Sequence, residues 1–478
     1  MNGSAGRNFP KSNNVDSCRA GLISKEHDAT REIAVSGVRM MRGKIPNANP
    51  QHYLRSRAAA RAALKKLSLN YPDPVKWIHQ EQTLNDRTIS KGDYPIQPTS
   101  VPPDFWPELQ PVFWLPEFEA PRDDFRLLQK PTRPVPWYFS GSSSEYYSNL
   151  VHPLSVQYFC NRDLKGVRWR SPRFLATPMA SHRSLLVWSP RSNIPPFAVK
   201  ASVNVWIGGL NRNVRLDEIR RSVGMSSLLA GVPKAELEHQ GILLLDDPVG
   251  LVHKQTNAGL LARDTPRQLS AREEIVPLFS LIASPNGKRP RIVDLVTSSG
   301  LEPTAWVDEF IFTPLIYQAY FLGMTEGLVG EMHEQNILME LRNGKPTKRF
   351  WHRDLGGFLV DRNLRRLAGK GFEALPAGIH QRHLGRDMSV FHLVLRMYLQ
   401  ESTGHGVGEA LRNHFEIPAD DFAELYNVRA SKLQNLILSA DGIRTTRNFE
   451  KDLDRYRKRK TTGCHWRWRS LEEALRDW

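Results

Sequence analysis

Cysteine is scarce. The chain has three, Cys18, Cys160 and Cys464, too far apart for a CxxC pair and too few for a disulfide framework. A small cross-linked secreted module is thereby excluded, and a reducing compartment is expected. Long apolar runs are missing as well: no stretch reaches the roughly 18 residues of a membrane-spanning helix. The opening MNGSAGRNFPKSNN has none of the apolar centre of a signal peptide, so a cytoplasmic protein without a membrane partner is expected. The depletion typical of disordered chains is not seen, since 40% of residues are hydrophobic and 9% aromatic, enough to build packed cores. At roughly 150 residues per domain, 478 residues leave room for two to four domains.

Acidic residues are under-represented, but only at the ends. The formal charge is +16; residues 1–70 hold 13 Lys/Arg against 4 Asp/Glu, and residues 451–478 hold 9 against 5, giving +9 and +4. A nucleic-acid reader concentrates its basic residues on a folded face, whereas here the middle is almost balanced. The segments Arg455-Tyr456-Arg457-Lys458-Arg459-Lys460 and Trp466-Arg467-Trp468-Arg469 could clamp phosphates and stack bases. The plainer reading is a solvated, cation-rich end, and nucleic acid is not the expected partner.

Residues 1–45 are polar and carry no periodic pattern, as in a disordered arm. Residues 53–68, YLRSRAAARAALKKLS, have helical composition, and the prolines from Pro72 to Pro107 then break up a short N-terminal lobe over 46–140. After the Ser-Gly-Ser-Ser-Ser loop at 140–144, the runs Leu185–Trp188 and Ala198–Ile207 read as strands of a β-rich region. In the second, Val199, Ala201, Val203, Val205 and Ile207 share one parity, leaving Lys200, Ser202, Asn204 and Trp206 on a polar face. From about 305 the chain reads as mostly helical, with a buried helix in EFIFTPLIYQAYFLGMTEGLV ending close to Gly327 or Gly330.

The most informative stretch runs from Glu331 to Gly357. Asn343-Gly344 is a hairpin signal between two β-capable runs. A hairpin symmetric about that turn sets residue 333 opposite residue 354, bringing His333, Gln335 and Asn336 beside Arg353 and Asp354. A carboxylate and amide oxygens are ligands that Mg²⁺ accepts while it bridges nucleotide phosphates, and a His and an Arg suit anionic oxygens. The bland alternative is a hairpin whose polar ends satisfy one another.

Several familiar motifs stop short. His333-Glu334-Gln-Asn-Ile337 lacks the second histidine of the zinc helix HExxH. His352-Arg353-Asp354-Leu355 copies the kinase loop HRDLxxxxN, but Leu359 stands where that loop has its metal-binding Asn, and no Gly-Lys pair sits in a P-loop frame. A kinase-like phosphotransferase is therefore only the alternative enzyme, and a catalytically reduced binding protein the non-enzyme one. A second cluster, Ser181-His182-Arg183-Ser184 followed by Lys200 and Arg212, offers spaced cations and hydroxyls for phosphates or carboxylates without a Gly-rich loop. Taken alone, Arg and Lys on a strand read more readily as a solvated face.

Together these segments resemble the NRPS-independent siderophore synthetases, the IucA/IucC (aerobactin synthetase)-like family. Ser181-His-Arg183-Ser184 is similar to its S-x-R-T motif, with Ser for Thr. Lys200 and Arg212 are similar to its K…(I/L)-T-N-x-x-R strand, Glu331-Met-His333-Glu-Gln335-Asn336 to its E-x-H-x-Q-N, and Arg353-Asp354 to its R-D. His152-Pro153, Arg272-Glu273 and Lys432 are weaker echoes, and no counterpart of the family's N-terminal G-H-P-x-H-P-x-x-K element is found. The resemblance spans roughly residues 140–440.

It implies an α+β cupped hand, with a reduced thumb over 46–140, fingers over 141–304 and a palm over 305–478. It implies further an ATP-dependent ligase that adenylates citrate or a similar polycarboxylate and condenses it with an amine or hydroxyl, as a possible homodimer. In that reading His333, Arg183, Lys200 and Arg212 are catalytic. ATP is held by Ser181, Arg183, Ser184, Lys200, Arg212, His333, Asn336 and Asp354. The acid is held by His152, Arg212, Gln335 and Lys432, and Mg²⁺ by Glu331, Asn336 and Asp354.

Overall fold

The larger of the sheets has eight strands, all paired antiparallel. Their order is Phe125–Gln129, Val249–His253, Ala258–Arg263, Phe197–Ala201, Ser184–Trp188, Arg168–Pro178, Phe113–Pro121 and Tyr146–Leu150. The sheet crosses the boundary expected at 140, because Phe113–Pro121 pairs with the strands on its C-terminal side. This computed structural model describes residues 46–83, 101–162, 164–207, 210–266, 272–362, 365, 368–372, 375–376, 379, 381–382, 396–418, 421–422 and 424–429. The N-terminal arm, Lys432, Cys18, Cys464 and the two basic segments near the C-terminus lie outside the described residues.

The run Ser184–Trp188 is buried at every position, because the sheet is covered on both faces. One face, with Leu185, Val187, Val199 and Ala201, joins an aromatic-rich core containing Phe113, Phe118 and Phe139. On the other face, Leu186 and Ala198 meet Leu64, Leu67 and Ile78 from the helices Arg57–Asn70 and Pro72–Glu81. Burying each such aliphatic side chain contributes about 1.5–3 kcal/mol. Farther along this face the helix Leu216–Leu229 packs Ile219 and Val223 against Val252 and Leu261. Register places Ser184 beside Lys200, Lys200 beside Leu261, and Arg263 beside Ala198. Ser184, Lys200 and Arg263 therefore share this face, between the two helical covers.

The run 198–207, expected as one strand, divides at Ser202 into Phe197–Ala201 and Val203–Ile207, the latter paired with Leu210–Arg212. The cause is the Ser202 hydroxyl, which accepts from the backbone N–H of both Val214 (3.0 Å) and Gly259 (2.9 Å), so the chain turns out of the sheet there.

A four-stranded sheet, in the order Glu273–Pro277, Ile337–Arg342, Lys345–His352 and Ile242–Leu244, carries the expected hairpin and likewise spans the boundary expected near 304. Asn343 and Gly344 both have positive φ, 51° and 74°, as a tight hairpin turn requires. Near the turn the pairing is the expected one, with Leu341 opposite Pro346. A bulge then sets Glu340 against Thr347–Arg349, and Met339 pairs with Phe350. Behind the sheet, the expected buried helix is Thr313–Glu326, preceded by a wider turn over Asp308–Phe312 and closed by Gly327 at φ 66°. Among the described residues no helix is long and apolar enough to cross a membrane.

Candidate active site

The bulge corrects the expected pairing by two residues. Arg353 N–H donates to the Asn336 carbonyl at 3.1 Å, so Asn336, rather than His333, lies across from the R-D pair. A shift of two preserves the side-chain alternation of a strand, and Glu331, His333, Gln335, Asn336, Arg353 and Asp354 still line one cavity of about 380 Å³. Its other wall comes from Ser184 and Arg263 of the large sheet, the turn of Ser181, His182 and Arg183 that leads into it, and Arg212 of the separate two-stranded ladder, and its third is Glu81 at the end of the Pro72–Glu81 helix. The two clusters read separately from the sequence thus face each other.

Acidic and basic side chains alternate along the sheet wall. Arg183 pairs with Glu218 at 3.1 Å, Glu218 with Lys200 at 2.8 Å, Lys200 with Asp354 at 2.9 Å, Asp354 with Arg263 at 2.8 Å, and Arg263 with Asp247 at 2.8 Å. Arg263 also donates to the Ser184 hydroxyl at 3.1 Å. Lys200 is only 3% exposed and lies behind Asp354. Burial alone would raise the Asp354 pKa, but Lys200, Arg263 and Arg183 outweigh it and hold the carboxyl well below its usual range. Glu218 is lowered the same way: burial opposes ionisation, and Lys200 and Arg183 overcome it. Arg212 is lowered by burial and by its neighbour Arg183.

The hairpin wall behaves differently. Burial, reinforced by the charge of Asp354, pushes Glu331 up to about 7, against a hydrogen bond from the Tyr398 hydroxyl at 3.2 Å. The Gly356-Gly357 turn allows this arrangement. A Cβ on Gly356 would overlap Ser222 of the Leu216–Leu229 helix, and one on Gly357 would overlap the Glu331 carboxylate. His333 accepts the Gln335 N–H through Nδ1 at 3.3 Å, and burial lowers its pKa. Arg353 donates to the Gln335 carbonyl at 2.7 Å and to Glu81 at 2.5 Å.

Three residues fall outside this constellation. His152 is 1% exposed, packed against Phe105 and Phe113 with its Nδ1 accepting from Leu154 N–H, and burial drives its pKa down to about 3. It is not in the cavity wall, so the structure places the expected acid-binding His152 in the core. Arg272 and Glu273 sit at the hairpin tip, where Glu273 takes Arg342. Sequence reasoning missed Glu81, Glu218, Asp247 and Arg263. Glu81 alone carried a local signal: it lies three residues past Ile78 on the buried stripe of its helix, where a carboxylate needs a partner.

The IucA / IucC family model matches residues 140–283, which include Ser181–Ser184, Lys200 and Arg212. No curated protein matches the chain in sequence. Solved structures do match in fold. The petrobactin biosynthesis protein AsbB from Bacillus anthracis str. Sterne superimposes with a TM-score of 0.56 at 16% identity, over 74% of this chain and 64% of that one. Aerobactin synthetase IucC from a hypervirulent pathotype of Klebsiella pneumoniae gives 0.53 at 16% identity, over 74% and 65%. The ATP-bound aerobactin synthetase IucA from the same source gives 0.57 at 16%, over 82% and 76%. The chain thus spans just under two thirds of the length of the first two. It has the α+β fold of the siderophore synthetases, and its residues 140–283 carry the match to the IucA / IucC family.

Proposed function

We propose that the protein is an ATP-dependent ligase of siderophore biosynthesis that adenylates a carboxylate of citrate or a similar polycarboxylic acid and passes the acyl group to an amine or hydroxyl. The observation that carries this reading is that Arg183, Arg212 and Arg263 line one cavity together with His333, Asn336 and Asp354. Such a lining suits a triphosphate and a polycarboxylate together, and the neighbour IucA is an ATP-bound synthetase.

In the first step a carboxylate oxygen of the acid attacks the α-phosphorus of ATP, the bond to pyrophosphate breaks, and an acyl-adenylate forms. The arginines offset the charge that repels the two anions and hold them in line. In the second, the lone pair of the acceptor nitrogen or oxygen attacks the acyl carbon, AMP leaves with the bonding pair, and the acceptor's proton passes to solvent. His333, kept neutral by burial, and Gln335 orient the reacting carboxylate.

The residues present fit a magnesium ion. Glu331, Asp354 and the amide of Asn336 are hard oxygen donors lining one cavity, and they would hold the ion, whose positive charge would offset the burial and the Asp354 charge that disfavour ionised Glu331. Lys200 and Arg263 occupy three of the roughly four lone-pair positions of the Asp354 carboxylate, leaving one. Among the described residues no group of three or more His, Cys, Asp or Glu could hold a metal by itself; in the ligase reading, phosphate oxygens and water would supply the remaining ligands. When bound, the ion neutralises phosphate charge.

The test is pyrophosphate release from ATP with citrate, 2-oxoglutarate, succinate or buffer alone, with hydroxylamine as acceptor. Acid-dependent release is expected, falling at least about a hundredfold in Asp354→Ala. Release of ADP in place of AMP and pyrophosphate would establish the kinase-like reaction instead, and an unchanged Asp354→Ala rate would remove that carboxylate from the mechanism.

A further inference from the structure

Glu81 is a wholly buried carboxylate in the wall of the cavity, 0% exposed. One oxygen, Oε1, takes the Arg353 guanidinium at 2.5 Å, and the other, Oε2, has no hydrogen-bond partner among the described residues. The neighbouring Gln82 spends its amide N–H groups on the Thr177 hydroxyl and the Pro178 carbonyl, both at 2.8 Å, while its own side-chain carbonyl oxygen is buried and has no partner among the described residues. Both orphan atoms are acceptors, and they sit at the C-terminal end of the Pro72–Glu81 helix, where the helix dipole adds negative potential. A buried acceptor without a donor is costly, and of the two only Glu81 lines the cavity, so its corner is short of an N–H group. Elsewhere the lining, with Arg183, Arg212 and Arg263, is rich in donors and suits anions.

We propose that Glu81 is the docking point for the amino group of the acyl acceptor and selects an amine over an alcohol. This deepens the ligase reading and rests on it. Arg353 keeps Oε1, and Oε2 receives the incoming N–H. The cavity is then divided by charge: anionic nucleotide and acid lie along the arginines, and the nitrogen nucleophile enters at the acidic corner contributed by the N-terminal helices.

The test compares n-butylamine with n-butanol, molecules of equal reach, by calorimetric titration of the full chain without nucleotide, so the readout does not depend on adenylation. Glu81→Gln keeps an oxygen for Arg353 and turns the orphan position into a donor. The wild type is expected to favour the amine at least about tenfold. Glu81→Gln is expected to weaken amine binding about ten- to a hundredfold, the scale of one charge-assisted hydrogen bond, and to leave the alcohol unchanged. Glu81→Asp, which retains the charge one methylene farther back, should keep part of the preference and serves if the glutamine variant does not fold. No amine preference in the wild type, an undiminished preference in both variants, or equal loss for amine and alcohol would overturn the assignment, the last leaving Glu81 only a support for Arg353. Acid-dependent ATP–pyrophosphate exchange on the same preparations reports separately on the ligase reading. Absent exchange in a wild type that still selects the amine sinks the ligase chemistry alone, whereas exchange in a wild type without amine preference sinks the Glu81 assignment alone.

Discussion

Lys200→Met breaks the alternating row of charges at its centre. Lys200 is 3% exposed and bonds Glu218 at 2.8 Å and Asp354 at 2.9 Å, side chains that are 17% and 30% exposed. Among the described residues, Glu218 then keeps only the Arg183 ion pair and Asp354 only that with Arg263. Removing one partner from a buried ion pair costs about 3–5 kcal/mol. Because each carboxylate retains an arginine and some contact with water, the lower end applies, about 3 kcal/mol. At about 2.1 cal/mol/K per residue, a chain of 478 residues unfolds with an entropy near 1 kcal/mol/K, so Tm at pH 7 should fall by about 3 °C. The pH dependence has a definite sign. Both carboxyls are held below their ordinary values in the folded protein, so the stability they confer is complete above the unfolded pKa of about 4 and is lost as pH falls through the lower folded values. Calorimetric scans of both proteins from pH 8 to pH 3 should show a full difference down to about pH 4.5 and convergence below about pH 4. A methionine variant as stable as the wild type at pH 7, or a deficit unchanged at pH 3, would refute the reasoning.

Gly357→Ala places a methyl against the Glu331 carboxylate; acid-dependent pyrophosphate release should drop at least about tenfold, with circular dichroism unchanged. Gly327 ends the Thr313–Glu326 helix at φ 66°, and a Cβ there would overlap the backbone of Arg365. Gly327→Ala should therefore cost more than the roughly 1 kcal/mol of an unobstructed left-handed position, and Gly300→Ala, at φ 72° with nothing near its Cβ, supplies that reference in the same denaturation series. His152→Asn keeps a capping side chain but loses ring contact with Phe105 and Phe113. Stability should fall by about 1–2 kcal/mol while KM for the acid stays within a factor of two; a large rise in KM would return His152 to the site.

The hairpin and the buried helix were legible because each is written in neighbouring residues. Asn343-Gly344 specifies a turn, and an apolar run closed by Gly327 specifies a helix and its end. Strand parity placed Lys200 opposite Val199 and Ala201 for the same reason. What escaped was the division at Ser202, since the hydroxyl that diverts the chain bonds Val214 and Gly259, 12 and 57 residues away. The bulge escaped too: Lys348 sits there at φ 62°, and nothing in its immediate neighbours demands a positive φ.

The acidic members of the site were hidden for a related reason, and they show what the motif residues require. Arg183, Lys200, Arg212 and Asp354 stand out in sequence because phosphate and carboxylate chemistry calls for such side chains. The cations gathered around one cavity would repel one another without Glu218, supplied by the Leu216–Leu229 helix, and Asp247, which follows Ile242–Leu244. Neither sits in a motif, for each answers a charge brought near only by folding. Of the two arginines that bond these acids, Arg183 remains in the cavity wall while holding Glu218, and Arg263 does the same while holding Asp247 and Asp354. The balancing acids therefore do more than neutralise. They fix the direction of the donors in the folded protein, so that in the proposed ligase less ordering would remain for the transition state to impose.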